Sequence, residues 1–218
     1  MNSLFDPVSL AVTLAMLALF PLLVVTCTAF LKISCVLLMV RTSIGVQQVP
    51  ANLVVYGIAT VITLTIMSPV ISSAAAQLRA GGQWPANSNQ LIDRMPQAME
   101  PLKAFMLGNL DPVHHDKMLQ ISQKFQTRYG GMPATERDLA VVMPAFVVSE
   151  LSAAFRMGLT LFLPFVVIDL VVSCVLMALG MMMVSPQTIT MPLKVILFVA
   201  VDGWSRLLEG LMLSYLPS

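Results

Sequence analysis

Three ionisable residues, Glu150, Arg156 and Asp169, lie in a stretch from Leu139 to Leu193 that is otherwise free of Lys, Arg, Asp and Glu and almost wholly apolar. Charges are costly in lipid and usually have partners in a helical bundle or a water-filled path. On an insertion scale Glu150 and Arg156 together cost about 5–7 kcal/mol. The twelve Leu, Val and Phe residues between Leu139 and Leu163 return about 4–7 kcal/mol on that scale, so the segment is only marginally a lone span. Six positions separate Glu150 from Arg156, roughly 120° around a helix, which misses the three- or four-residue ion-pair spacing. Their partners are therefore expected on other helices or other subunits, as an assembly contact or a pore-facing ion pair. Two readings stand beside that one: a solvated helix end mistaken for a span, and a proton relay, a role that intramembrane acids also fill.

A second charged set, Lys194, Asp202, Arg206 and Glu209, has helical spacings that place all of it within about 120° of one face of a last helix, Met191 to Tyr215. This predicts an amphipathic helix with internal pairing, either simply hydrated or used as a subunit contact. Met181, Met182 and Met183 form a run of flexible, polarizable side chains just before Ser185 and Pro186. Three neighbours project in different directions, which suits a loop end that adapts to several surfaces better than one buried stripe; ordinary packing is the alternative.

The remaining reactive residue types form no pattern for chemistry. His114 and His115 are adjacent, with no Cys or acid spacing that completes a zinc site. Cys27, Cys35 and Cys174 lie in apolar segments as small packing groups, and the first two are about 12 Å apart along a helix, too far for a disulfide. There is no Gly-rich phosphate loop with a Lys and no supported Ser, His and Asp arrangement, so neither an enzyme nor a cofactor is expected.

The elements that must carry these residues are helices in a membrane. Hydrophobic residues make up 57% of the chain and charged ones 11%, with a mean hydropathy of +0.85, against about 25% charged residues in a soluble domain. A net charge of +1 gives no case for nucleic acid. Pro7 to Leu31 has no charge and is long enough to cross; the acidic opening MNSLFDP argues against a cleaved signal. A second span is expected from Pro50 to Ala76, bent at Ser68 and Pro69. A linker bearing Lys32 and Arg41 between the two would face the cytoplasm.

From Arg79 to Asp138 the chain holds 13 of its 23 Lys, Arg, Asp and Glu residues and reads as a polar helical insertion. Asp111 before Pro112 predicts a helix start, Gly130 its end, and Met118, Ile121 and Phe125 one face of that helix. Thr135 and Asp138 resemble a capping box opening a third segment, in which Pro164 predicts a bend into a fourth helix that ends near Met183 at Ser185 and Pro186.

The words PAFVVSELSAAFRMG (144–158) and LPFVVIDLVVSCVLMALGMMMVSP (163–186) closely resemble the family of the flagellar export protein FliP and its injectisome counterpart SctR, as do TAFLKISCVLLMVRTSIGVQQVP (28–50), MSPV (67–70), EPLKAFML (100–107) and VDGW (201–204). The missing signal tips the resemblance toward the injectisome branch. One departure is Ser152 directly after SEL, where many relatives have a basic residue; here Arg156 lies one turn further on.

The resemblance implies an all-α integral membrane protein of helical hairpins with a polar helical insertion, assembling into an oligomeric helical channel. Its regions would be an N-terminal hairpin (1–78), a periplasmic domain (79–138) and C-terminal hydrophobic helices with a Met-rich loop (139–218). It further implies an export-gate subunit of a type III secretion system in the bacterial inner membrane, in several pentamer-like copies with SctS-, SctT- and SctU-like proteins, passing unfolded secreted proteins. Met181, Met182 and Met183 would be its channel gasket, and Glu150, Arg156, Asp169, Lys194, Asp202 and Arg206 its assembly or pore charge contacts. The rival is a proton-coupled transporter in which Glu150 and Asp169 titrate.

Overall fold

In the computed structural model the described residues are 14, 18, 21–46, 50–79, 88–181 and 183–216, and among them there is no strand. The helices are α1 (Pro21–Cys27), α2 (Phe30–Ile44), α3 (Asn52–Leu78), α4 (Ser88–Asn109), α5 (Pro112–Tyr129), α6 (Leu139–Ala178), α7 (Gln187–Ala200) and α8 (Gly203–Leu213). Two compact units share them: Met1–Leu31 with Val70–Val148, and Lys32–Pro69 with Ser149–Ser218.

Two helices, α3 and α6, are long and apolar enough to cross a membrane, and α1 with α2 forms a third candidate that is bent at a break. The chain is a membrane protein in character. The first span expected from the sequence differs from the structure where it is described. The helix stops at Cys27, and at the break the Thr28 hydroxyl accepts from the Phe30 N–H, a side-chain partner for the backbone in place of a helix carbonyl. Lys32 and Arg41 then lie within α2 and not in a linker. Pro7 and the rest of that span before residue 21, except residues 14 and 18, lie outside the described residues.

In the first unit, Cys27, Met106, Val142 and Phe146 form a core, with the Phe105 and Phe146 rings edge to face at 6.0 Å. The Arg94 guanidinium donates to the carbonyl of Leu78, the last residue of α3, where the helix has carbonyls to spare. The α5 termini follow their local signals. Asp111 accepts from the Val113 N–H with Pro112 at the first helical position, and Gly130 closes the helix at φ 78°. No residue of α5 is buried, and Ile121 and Phe125 stand exposed on the expected apolar face. Asp138 accepts from the Thr135 N–H at 2.7 Å, one half of the expected capping box, but α6 begins only at Leu139.

Two helix ends correct the sequence expectations. α6 runs unbroken through Pro164 to Ala178, so no fourth helix starts there: a proline removes one donor, and the long apolar run on both sides sustains the helix. It ends well before Met183. The Gly180 N–H donates to Met177 O and the Met181 N–H to Leu176 O, with Gly180 at φ 72°, a Schellman motif that only glycine adopts cheaply. Ser185 and Pro186 therefore do not stop α6; Pro186 opens α7, its carbonyl accepting from Thr190 N–H. The last helix is also two, α7 and α8, separated at Val201 and Asp202, where Asp202 takes φ 52°.

Candidate functional site

The helix break at Asp202 redistributes the charges that the sequence placed on one face. Lys194 sits on α7, nearly buried, and donates to Asp169 Oδ2 on α6 at 2.6 Å and to the Ser43 carbonyl on α2 at 3.3 Å. Asp202 lies at the break, with its Oδ1 accepting from the Ser205 hydroxyl at 3.0 Å. Arg206 and Glu209 are on α8 and both are exposed. The internal pairing expected among these four does not form; the helix break at Val201 and Asp202 separates Lys194 from Arg206 and Glu209.

Glu150 has found partners far along the same chain. Its side chain is 1% exposed; Oε1 accepts from Lys32 Nζ at 3.1 Å and Oε2 from the Tyr215 hydroxyl. Lys32 Nζ also lies 3.6 Å from the centroid of the Tyr215 ring, so one cation meets a carboxylate and a π-face together. The arrangement satisfies both carboxylate oxygens, the condition for keeping a charge away from water. In the sequence Lys32 reads as an orientation signal, and nothing local marks Tyr215. The one available signal was a lone Lys inside an apolar helical word, which in lipid demands an acid.

Arg156, by contrast, is exposed and pairs with no carboxylate among the described residues. It lines an open cleft of about 400 Å³ with Arg206, Val36, Thr160, Leu207 and Leu211. The structure thus separates Glu150 from Arg156 and sets Arg156 and Arg206 on the same cleft.

The methionine run follows the Schellman turn at Gly180. Met181 is half-exposed and Met183 fully exposed, while Met182 lies outside the described residues. α6 leading to it presents a long apolar surface through Phe155, Leu159, Leu163, Val167, Leu170 and Val175, all exposed. From Phe155 to Leu170 the spacings of three and four keep these side chains within about 120° of one face, an uncovered stripe for lipid or another chain to cover.

Residues 13–211 match the FliP family. The chain belongs to that family. Among curated proteins, this FliP-family member is 44% identical over 97% of its length to the harpin secretion protein HrcR of Erwinia amylovora, covering 98% of that protein. It is 36% identical over 99% of its length to the Yop proteins translocation protein R of Yersinia pestis, again covering 99% of it. It is 35% identical over 98% of its length to the surface presentation of antigens protein SpaP of Shigella flexneri, with 98% of that protein covered. Lys32, Glu150, Asp169 and the methionine run all fall within the matched range.

Among the described residues no group of His, Cys, Asp and Glu could hold a metal ion. His115 Nε2 lies 2.8 Å from the Glu136 carbonyl, and His114 does not join it in a ligand set. Outside the membrane helices, the Thr135 N–H beside Asp138 holds that carboxyl below the usual aspartate range. Lys103, hydrogen-bonded to Glu100 at 3.0 Å, does the same for the Glu100 carboxyl.

Proposed function

We propose that this chain is a core export-gate subunit of a type III protein secretion system, several copies of which, pentamer-like, form the wall of a channel for unfolded substrates. The observation that carries the reading is the end-to-end likeness to a protein named for harpin secretion, 44% identical over 97% of the chain. The chain would work with SctS-, SctT- and SctU-like subunits in the bacterial inner membrane, with residues 79–138 as a periplasmic domain. The exposed apolar stripe of α6 supports a subunit that is completed by other chains.

In this reading Met181, Met182 and Met183 are a soft seal. An unbranched thioether closes against its neighbours and repacks around different passing chains, and a ring of apolar side chains resists ions by staying dry. The Schellman turn and the exposure of Met181 and Met183 favour a projecting loop over ordinary packing. Nothing favours the proton-coupled transporter: Glu150 and Asp169, the acids it needs, are each held by a lysine.

Two strains test the proposal. A deletion of the gene is expected to stop secretion of the system's substrates, and a plasmid copy to restore it. A Met181→Ala, Met182→Ala, Met183→Ala copy is expected to assemble, to leak ions or small solutes, and to change secretion less than membrane tightness. Normal secretion in the deletion strain would refute the gate assignment, and normal tightness in the assembled triple variant would return the methionines to packing.

A further inference from the structure

The cations of the unit formed by Lys32–Pro69 and Ser149–Ser218 divide into two groups. Lys32 and Lys194 hold carboxylates, and Arg41 donates to the Pro50 carbonyl and to Asn52 Oδ1. Arg156 and Arg206 have no carboxylate within ion-pair distance among the described residues, and both line the same open cleft against the apolar side chains of Val36, Leu161 and Leu211. A cleft with apolar walls and two guanidinium groups matches a carboxylate carried on an apolar surface, since a guanidinium binds carboxylate through two parallel hydrogen bonds.

α8 carries such a surface on its other side. At about 100° per residue, Glu209 points about 130° away from the middle of the face that Arg206, Leu207, Gly210 and Leu211 turn to the cleft. Glu209 is exposed, has no cation within ion-pair distance among the described residues, and is flanked by exposed Met212 and Leu213. Arg206 and Glu209 stand three positions apart on α8, about 60° around the helix, yet form no ion pair within the chain, and Glu209 is turned away from the cleft that Arg156 lines. Between two chains the acid and both cations can meet. Each copy would then offer one cleft and one acidic face, a head-to-tail contact that closes into a ring or continues as a helix.

We infer that the Arg156 and Arg206 cleft of one copy receives the Glu209 face of α8 from a second copy. The inference rests on the reading that the chain assembles in several copies, and it names the surface by which it does so. Occupancy would bring the three unmatched charges together and cover the apolar walls of the cleft with Met212 and Leu213 of the neighbour.

The test uses the full chain purified in detergent and weighed by native mass spectrometry. Arg156→Glu with Arg206→Glu is expected to weaken self-association about tenfold or more, Glu209→Arg to do the same, and all three changes together to restore it, since the charges are then exchanged. A cross-link keeps the test independent of how well these variants fold. In chains whose Cys27, Cys35 and Cys174 are replaced by Ala, copies with Gly210→Cys are mixed with copies carrying Leu213→Cys and oxidised. A Cβ at Gly210 meets nothing within 4 Å, so that change fits the fold, and a disulfide between the two kinds of copy is expected. A wild-type oligomer indifferent to all the charge changes and forming no such disulfide would overturn the interface and leave assembly standing. A monomeric wild type would sink the assembly reading itself. Unchanged oligomers in which the arginine variant alone loses bound phosphatidylglycerol would overturn the inference and give the cleft to an anionic lipid.

Discussion

Replacing Lys32 with Ala would strand the Glu150 carboxylate, which is 1% exposed, with the Tyr215 hydroxyl as its remaining donor in the cluster. Removing one member of a buried ion pair costs about 3–5 kcal/mol, because the survivor keeps its charge and loses its counter-charge. For a chain of 218 residues each kcal/mol moves the melting temperature by about 2–4 °C, so the variant should melt about 6–20 °C lower. Tyr215→Phe keeps the ring under the Lys32 ammonium and removes only a hydrogen bond to a charged acceptor, worth about 1.5–3 kcal/mol. The decisive variant is the double one, Lys32→Met with Glu150→Gln, which removes both charges while leaving an amide oxygen for the Tyr215 hydroxyl. If the cost of Lys32→Ala is mainly a stranded charge, the double variant should recover about 2 kcal/mol or more of it. Far-ultraviolet circular dichroism melts of the detergent-purified chains supply the numbers. A double variant that melts as low as the single one, or a single variant within about 1 kcal/mol of wild type, would refute the argument.

Gly180→Ala should cost about 1–2 kcal/mol, because the residue that closes α6 sits at φ 72°; the melt would show it, and an unchanged melting temperature would remove the Schellman turn from the account. Gly203→Ala should be destabilising by about 1–3 kcal/mol, since its Cβ would fall 2.4 Å from the Phe198 ring, itself set edge-on to Trp204 at 5.3 Å. A Trp204 fluorescence maximum that does not move would count against that crowding. Asp138 has a depressed folded pKa, so its hydrogen bond to Thr135 supports the fold above the ordinary aspartate value of about 3.9 and is lost as pH falls through the lower folded value. The Thr135 amide shift, followed by nuclear magnetic resonance, should titrate with a midpoint below that ordinary value; a midpoint above it would contradict the geometry.

The parts of the fold that were legible in the sequence are those set by neighbours in the chain. Asp111, Pro112 and Gly130 bound α5 because a cap is decided within four residues, and the apolar length of α3 is visible in any window along it. Pro164 misled because its effect depends on surroundings: in a long apolar helix the lost donor is tolerated. The Asp202 break was hidden by periodicity, since Lys194, Asp202, Arg206 and Glu209 satisfy helical spacing whether or not one helix connects them. The methionine loop was visible as composition, while the turn that presents it depends on Gly180 adopting a left-handed conformation that spacing does not reveal. The pairing of Lys32 with Glu150 spans 118 positions, beyond any local rule, although the need for such a partner was readable from the cost of the charge.

The three residues around the Glu150 carboxylate are made in a definite order. Lys32 is already in the chain when Glu150 leaves the ribosome, but Tyr215 follows 65 residues later, about 3–13 s at ordinary rates of bacterial synthesis. If the pair with Lys32 forms first, the acid has its cation and lacks its hydroxyl throughout that interval, and α6 would enter a membrane paired but not locked. Translation that stalls before Tyr215 would leave a nascent chain whose most enclosed charge is still short of a donor.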